Sequence, residues 1–476
     1  MIQFQHILQA LRAEALAGTI PAHLLEVSFH GVVIDSRQAI PGSIFVAIPG
    51  ENTDGHQYVG NAFDQGALLA IVEQEIEEYP TFTMQTIDQA HHFPFCLQVE
   101  NSLQALQVLA HCWVRHLNLT VVGITGSVGK SSTKELVASV LRQKYAVLKN
   151  RGNYNNEIGL PLTVLEAGYG HEVAVLEMGF YVPGEIAFLC EIAPPVVGVV
   201  NNIGTVHAER AGSQQEIAAG KSELVQALPN DGTAVLNYDD ELVKEMAQKT
   251  GAKILFYGLS SQADLFADQI TGLGLDGIEL TFHYQGESIP ARLPLIGRHS
   301  VYTALRAAAV GLTLGLKWEE ILAGLRQGDA QLRLTAIHLP NGVTILDDSY
   351  NAAPESTCAA LDLLKEVHKP LQSVRHVAVL GEMYELGQYE HAGHTQVGRH
   401  AVNTCDVLIG VGERSKIITE TALQSGMTAQ NVFWLPDVPQ TIDFLRQKMT
   451  TNDVILIKGS HGLRMDRITW ALEKDA

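Results

Sequence analysis

Apolar positions along this chain cluster in short uninterrupted runs separated by segments of helical spacing, the pattern of parallel strands covered on both faces. Residues 119–125 (LTVVGIT), 173–177 (VAVLE), 196–200 (VVGVV) and 233–237 (TAVLN) predict strands of one such sheet. A β-rich stretch over 252–295 predicts an antiparallel extension, and a helical region follows over 301–325. The alternation then resumes, with strands predicted at 343–347, 376–380, 406–410, 431–434 and 453–457. Such a series implies an open, doubly wound sheet that takes ligands at the carboxyl ends of its strands. Near the N-terminus the β-rich runs are shorter, at 31–35 and 43–48, and are punctuated by Pro41-Gly42 and Pro49-Gly50. Leu103, Leu106, Leu109, Ala110 and Trp113 recur at helical spacing behind Asn101 or Ser102 as N-cap. The expected fold class is α/β with three domains: a small α/β N-terminal domain over 1–100, a central parallel-sheet domain over 101–330, and a C-terminal Rossmann-like domain over 331–476.

Composition narrows the function. The chain has 476 residues, 46% of them hydrophobic and 18% charged, as folded globular proteins do. A formal net charge of −20 argues against a nucleic-acid partner, because no basic stripe is present to replace counterions. No run approaches the ~18 apolar residues of a membrane helix, and residues 1–16 mix Gln, His, Arg and Glu among apolar positions, unlike a signal peptide. A cytoplasmic protein with no membrane partner is expected. Cys96, Cys112, Cys190, Cys358 and Cys405 are widely spaced and are read as buried thiols.

The most informative stretch is residues 123–133, GITGSVGKSST, entered by a strand and left by a helix. Backbone N–H groups around Gly126, Ser127, Val128, Gly129 and Ser132 and the helix dipole can converge there on a phosphate. Lys130 would neutralise its outer oxygens and Ser131 would ligate Mg²⁺. The first glycine falls at Gly123, one residue earlier than in the general G-x-x-x-x-G-K-[ST] loop, where Ile124 stands. The competing reading is a glycine-rich turn with no ligand. Glu177 ends an apolar strand, which suits a metal carboxylate or simply an acid facing water. By themselves His207 is an ordinary histidine, Lys221 a solvated helix lysine, and residues 153–156 (NYNN) a polar turn.

Taken together these motifs resemble the Mur ligases, ATP-dependent amide-bond-forming enzymes. The T-G-S-x-G-K loop resembles that family's variant phosphate loop, and the likeness continues in order along nearly the whole chain. Residues 153–163, Asp348-Ser-Tyr-Asn351, 380–387, His394 and Lys458-Gly-Ser460 resemble the members that add D-alanyl-D-alanine. The resemblance implies a central P-loop ATPase domain that binds ATP at 126–132, with Arg333, Asp348 and Tyr350 closing on the nucleotide. It implies two Mg²⁺ ions on Ser131, Glu177, His207 and an N-carboxylated Lys221 formed with CO₂, so that Lys130, Glu177, His207 and Lys221 carry catalysis. It places UDP-N-acetylmuramoyl-tripeptide on Ser36, Arg37, Asp54, His56, Asn155 and Asn156, and D-alanyl-D-alanine on the C-terminal domain. A monomer is expected.

Several positions depart from the family pattern. Ser300 and Thr303 stand where Asn is usual on the adenine side, Ala353 replaces an Asn, Leu332 a Gly and Glu382 an Asp. Three other readings compete: the sister ligase that adds a single amino acid, a folylpolyglutamate-type ligase, and a nucleotide-dependent switch without ligase activity. The Asp35-Ser-Arg37 region speaks against the second.

Overall fold

The computed structural model describes residues 1–11, 20–50, 53–206, 208–327, 334–368 and 374–475, which form two compact units. The first comprises Met1–Gly123, Tyr145–Gly179 and Gly184–Val197, and the second the remainder. Two site candidates, His207 and Arg333, lie outside the described residues.

The first unit opens with a short antiparallel pair, Ile2–Gln3 with Ser28–Phe29, followed by a parallel sheet in the order Val32–Val33, Ile44–Val46, Leu69–Val72, Phe95–Gln98, Thr81–Thr83. Its middle strands are buried along their apolar length, so their sequences run continuously apolar instead of alternating. Phe45, Ala47, Val59, Ala62, Ala70 and Cys96 form one of its cores. The helix Ser102–Leu117 follows. Its N-cap is Asn101, whose side chain accepts the Gln104 N–H, and it ends at Asn118 in the left-handed conformation. Trp113 anchors the buried face by donating Nε1–H to the Ala167 carbonyl at 2.9 Å. Beyond it, Val147–Lys149 pairs in parallel with Val173–Glu177.

In the second unit Thr233–Asn237 pairs in parallel with Lys253–Gly258, which pairs with Leu265–Gly272. From there Ile278–Tyr284 and Glu287–Leu293 extend the sheet antiparallel, as the β-rich stretch predicts. The helical region after it is two helices, Ser300–Thr313 and Trp318–Arg326, because Gly315 turns the chain at φ +72°. Both pack on the helix Lys130–Leu141 that follows the glycine loop at 126–129.

Among the described residues the C-terminal sheet has six strands where five are predicted, in the order Thr335–His338, Thr344–Asp348, Asp453–Lys458, Arg375–Gly381, Val407–Val411, Val432–Leu435. The extra one, Thr335–His338, is an antiparallel edge strand whose partly exposed positions leave no continuous apolar run. Successive strand residues face opposite sides. Leu346, Leu380 and Leu456 enter one core with the helices Pro354–Glu366, Glu390–Ala401 and Lys416–Gln424. Ile345, Val379, Ile455 and Ile457 enter the other with Val438–Lys448 and Asp466–Asp475. Helices on both faces make this the doubly wound layer expected. Of the five cysteines expected to be buried thiols, Cys96 and Cys190 are buried; Cys112, Cys358 and Cys405 are half-buried, on helices or just after one. No helix among the described residues is long and apolar enough to cross a membrane.

Gly324 sets how closely the helix Trp318–Arg326 meets Lys130–Leu141. Its carbonyl accepts the Ser139 hydroxyl at 2.8 Å, and a Cβ there would lie 2.4 Å from the Val140 Cα. Backbone cannot yield as a side chain can. Gly324→Ala is expected to cost about 1–3 kcal/mol of stability, read as a lower urea midpoint; an unchanged midpoint would contradict this packing.

Candidate active site

The strand Thr120–Thr125 delivers the chain to Gly126, and the helix Lys130–Leu141 departs from Gly129. These glycines sit at φ +148° and +79°, and a Cβ on Gly126 would meet the Asn201 Cβ at 2.6 Å. Only glycine allows the loop to lie this close to its neighbour. Lys130 folds back so that Nζ donates to the Gly126 carbonyl at 2.9 Å.

The residues after the strand Val197–Val200 hold this loop. The Asn202 side-chain amide binds both polar groups of Val128, accepting its N–H at 2.9 Å and donating to its carbonyl at 3.2 Å. Asn201 donates Nδ2–H to the same carbonyl at 3.1 Å. The Asn202 carbonyl accepts the Ser127 N–H at 3.0 Å, and Ser127 Oγ accepts the Gly204 N–H at 2.9 Å. Asp240 in turn fixes the Ile203 N–H at 2.8 Å. The loop is therefore shaped by protein contacts before any ligand arrives, at a helix N-terminus whose dipole favours an anion. At the start of Pro354–Glu366, Glu355 approaches the same place: a Cβ on Gly204 would lie 3.4 Å from both its carboxylate oxygens. Burial holds that carboxyl above its ordinary range.

Lys221 lies in the helix Gln214–Gln226 and is fully buried, which overturns its reading as a solvated lysine. The cause is its neighbour. A Cβ on Gly220 would fall 2.0 Å from the Phe180 ring, so that ring packs against bare helix backbone. Lys221 Nζ lies 4.7 Å from the Phe180 ring centroid and has no hydrogen-bond partner among the described residues. Burial, reinforced by the charge of Lys130, pushes its pKa well below the usual lysine value.

Glu177, in the first unit, is also buried, so it is not an acid facing open water. Asn155 donates Nδ2–H to its carboxylate at 2.9 Å, and Asn150 binds its backbone N–H and C=O at 2.7 and 3.2 Å. Asn156 accepts the Gly159 N–H at 2.8 Å at the start of the helix Gly159–Leu165. The asparagine-rich segment is thus a scaffold for the strand-end acid.

In the N-terminal sheet region Ser36 is buried, while the Arg37 side chain is exposed and is held by Asp35 through Nε and Nη2 at 2.9 and 2.7 Å. The Arg37 hydrogen bonds keep the Asp35 carboxyl below the usual range. Asp54 accepts from the His56 N–H and from its Nδ1 at 2.6 Å, and His56 Nε2 accepts the Glu73 N–H at 2.8 Å. Both His56 ring nitrogens are thereby used in shaping the turn. In the C-terminal sheet Asp348 ion-pairs at 2.5 Å with the buried Lys458, which also donates to the Asn351 carbonyl; Tyr350 stays exposed beside His461. His394 is buried, with Nε2 accepting the Met383 N–H and Nδ1 donating to the Glu390 carbonyl, and burial lowers its pKa. Among the departures, Ser300 Oγ donates to the Gly297 carbonyl and Ala353 leaves its N–H to Ser356 Oγ.

Three family models cover most of the chain: "Mur ligase family, catalytic domain" over residues 28–111, "Mur ligase middle domain" over 124–311 and "Mur ligase, glutamate ligase domain" over 332–461. A UDP-N-acetylmuramoyl-tripeptide--D-alanyl-D-alanine ligase of Mycobacterium tuberculosis is 35% identical over 473 residues, covering 93% of this chain and 92% of the relative. The chain belongs to the Mur ligase family. Among solved structures, MurF from Acinetobacter baumannii matches with a TM-score of 0.83 at 29% identity, over 99% of this chain and 98% of that one. MurF from Thermotoga maritima in complex with ADP matches with a TM-score of 0.78 at 27% identity, over 94% and 97%. The fold is accordingly α/β with the three Mur ligase domains in order.

Asn150, Asn201, Asn202, Asp240 and Glu355 escape the motif reading, since each is a common turn or helix-start residue type. Asn202→Ala would leave the Val128 N–H without its acceptor, a loss of about 1–3 kcal/mol. MgATP affinity measured by calorimetry should then fall roughly tenfold or more, since 1.4 kcal/mol is a factor of ten. Unchanged affinity would mean that the amide does not shape the loop.

Proposed function

We propose that this chain joins D-alanyl-D-alanine to UDP-N-acetylmuramoyl-tripeptide at the expense of ATP. The observation that carries the reading is the chain-long similarity to ligases bearing that name, at 35% identity over 93% of this chain. On this reading the tripeptide's terminal carboxylate attacks the γ-phosphorus of ATP and ADP leaves. The amine of D-alanyl-D-alanine then attacks the acyl phosphate carbonyl, forming the amide and releasing phosphate and a proton. Catalysis of this kind rests on positioning and charge neutralisation more than on a covalent enzyme group.

The parts divide by domain. Residues 1–100 hold the UDP end through Ser36, Arg37, Asp54 and His56, with Asn155 and Asn156 adding precursor contacts. Arg37 suits a diphosphate because Asp35 sets its planar fork while leaving it exposed. Residues 101–330 bind ATP along 126–132, and residues 331–476 close on it with Arg333, Asp348 and Tyr350 and accept the dipeptide. The reading makes the protein a cytoplasmic monomer without nucleic-acid or membrane partners.

Two Mg²⁺ ions would be held by Ser131, Glu177, His207 and N-carboxylated Lys221, and would neutralise triphosphate oxygens. Lys221 fits the modification: burial without a hydrogen-bond partner lowers the amine's pKa and so favours its neutral form, which is the form that adds CO₂. Forming the N–C bond expels one proton and leaves a carbamate anion in place of the neutral amine.

Phosphate release should require both UDP-muramoyl-tripeptide and D-alanyl-D-alanine. Release with lysine or diaminopimelate as acceptor, or with no acceptor, would overturn the assignment. Lys221→Ala should abolish turnover and remove the carbamate carbon resonance from protein equilibrated with ¹³CO₂; an unaltered spectrum would sink the modification. The pH dependence follows from the depressed pKa. As pH falls through the folded-state value the amine protonates, so carbamate signal and activity should decline together on acidification and be retained on the alkaline side.

A further inference from the structure

One buried cation near the phosphate loop is not accounted for by the family's motifs. Arg306, in the helix Ser300–Thr313, is buried although it stands in an otherwise apolar run, Ala304 to Ala309. Its Nε–H donates to the Tyr302 carbonyl at 2.9 Å and its Nη1–H to Thr133 Oγ1 at 2.6 Å. The guanidinium carbon lies 5.8 Å from the Tyr257 ring centroid. No carboxylate among the described residues forms an ion pair with it; the nearby Asp239 is occupied by the Tyr302 hydroxyl and by backbone N–H groups of Leu259 and Ser260.

Burial disfavours the charged guanidinium, yet arginine does not give up its proton in proteins. A buried charge without a counter-ion is unfavourable and calls for one. The arginine's contacts point to where one would arrive. Thr133 Oγ1 donates to Asn201 Oδ1 at 3.4 Å, and Asn201 Nδ2 donates to the Val128 carbonyl, so a continuous chain joins Arg306 to the loop. A Cβ on Gly129 would lie only 3.4 Å from Arg306 Nη1. The cation therefore sits directly behind the glycine that begins the phosphate-binding helix.

We propose that Arg306 is a positioning residue for the nucleoside triphosphate: a fixed charge behind the loop that braces Thr133 and Asn201 and finds its counter-charge in the bound phosphates. The proposal rests on the reading of 126–132 as the ATP site. It explains why an unpaired charge is kept beside this loop, in a chain whose net charge of −20 opposes anionic ligands.

The test uses the full-length enzyme and compares wild type with Arg306→Met, which keeps the volume without the charge, and Arg306→Lys, which keeps the charge. Calorimetric titration with MgATP and with UDP-muramoyl-tripeptide is paired with melting of the ligand-free protein. Wild type that fails to bind MgATP would overturn the ATP-site reading itself, and the proposal with it. Given binding, R306M should bind MgATP at least tenfold more weakly, with the KM for ATP raised by a like factor, and stay within twofold for the UDP precursor. R306K should recover part of the loss. A purely structural arginine would instead lower the ligand-free melting temperature and weaken both ligands alike. MgATP affinity within twofold of wild type in R306M, equal weakening of both ligands, or R306K no better than R306M would each overturn the proposal.

Discussion

The glycine loop at 126–129 depends on the Asn202 side-chain amide, which grips both polar groups of Val128 while Asn201 takes the same carbonyl. A phosphate loop is useful only if its backbone is held in a shape that the chain would not choose by itself. Here the hold comes from residues 201–204, which the adjacent strand brings alongside, and Asp240 fixes that segment from the next strand end. Gly126 and Gly129 are needed because the approach leaves no room for side chains.

The second constraint is charge. An acidic protein that handles a triphosphate and a sugar-nucleotide must supply positive potential locally, through a helix N-terminus, Lys130 and a few arginines. Lys221 resolves this differently from Arg306. Its amine is buried against Phe180 with its proton affinity lowered. The arginine, which cannot lose its proton, stays a cation.

Much of this was legible in the sequence, and the reason is physical. Buried parallel strands are written as continuous apolar runs, so 173–177 and 233–237 match Val173–Glu177 and Thr233–Asn237 residue for residue. The phosphate loop was legible because its geometry demands glycines. The edge strand Thr335–His338 was not, since it is partly exposed and short. Nor was the burial of Lys221, which depends on a ring from a segment some forty residues distant packing on Gly220; the small residues at 218–220 are the only local sign. Asn201 and Asn202 look like ordinary turn residues because their partners are some seventy positions away. Arg306 did leave a signal, a charge within an alanine-rich run, that motif reading passes over.

The central claim is that the tripeptide carboxylate is phosphorylated before the amide forms. It is tested most directly by supplying UDP-muramoyl-tripeptide with its terminal carboxylate labelled in both oxygens with ¹⁸O, together with ATP and D-alanyl-D-alanine, and measuring the released phosphate by mass spectrometry. The account predicts one ¹⁸O atom in each phosphate released, carried over from the carboxylate. Unlabelled phosphate accompanying full amide formation would contradict it.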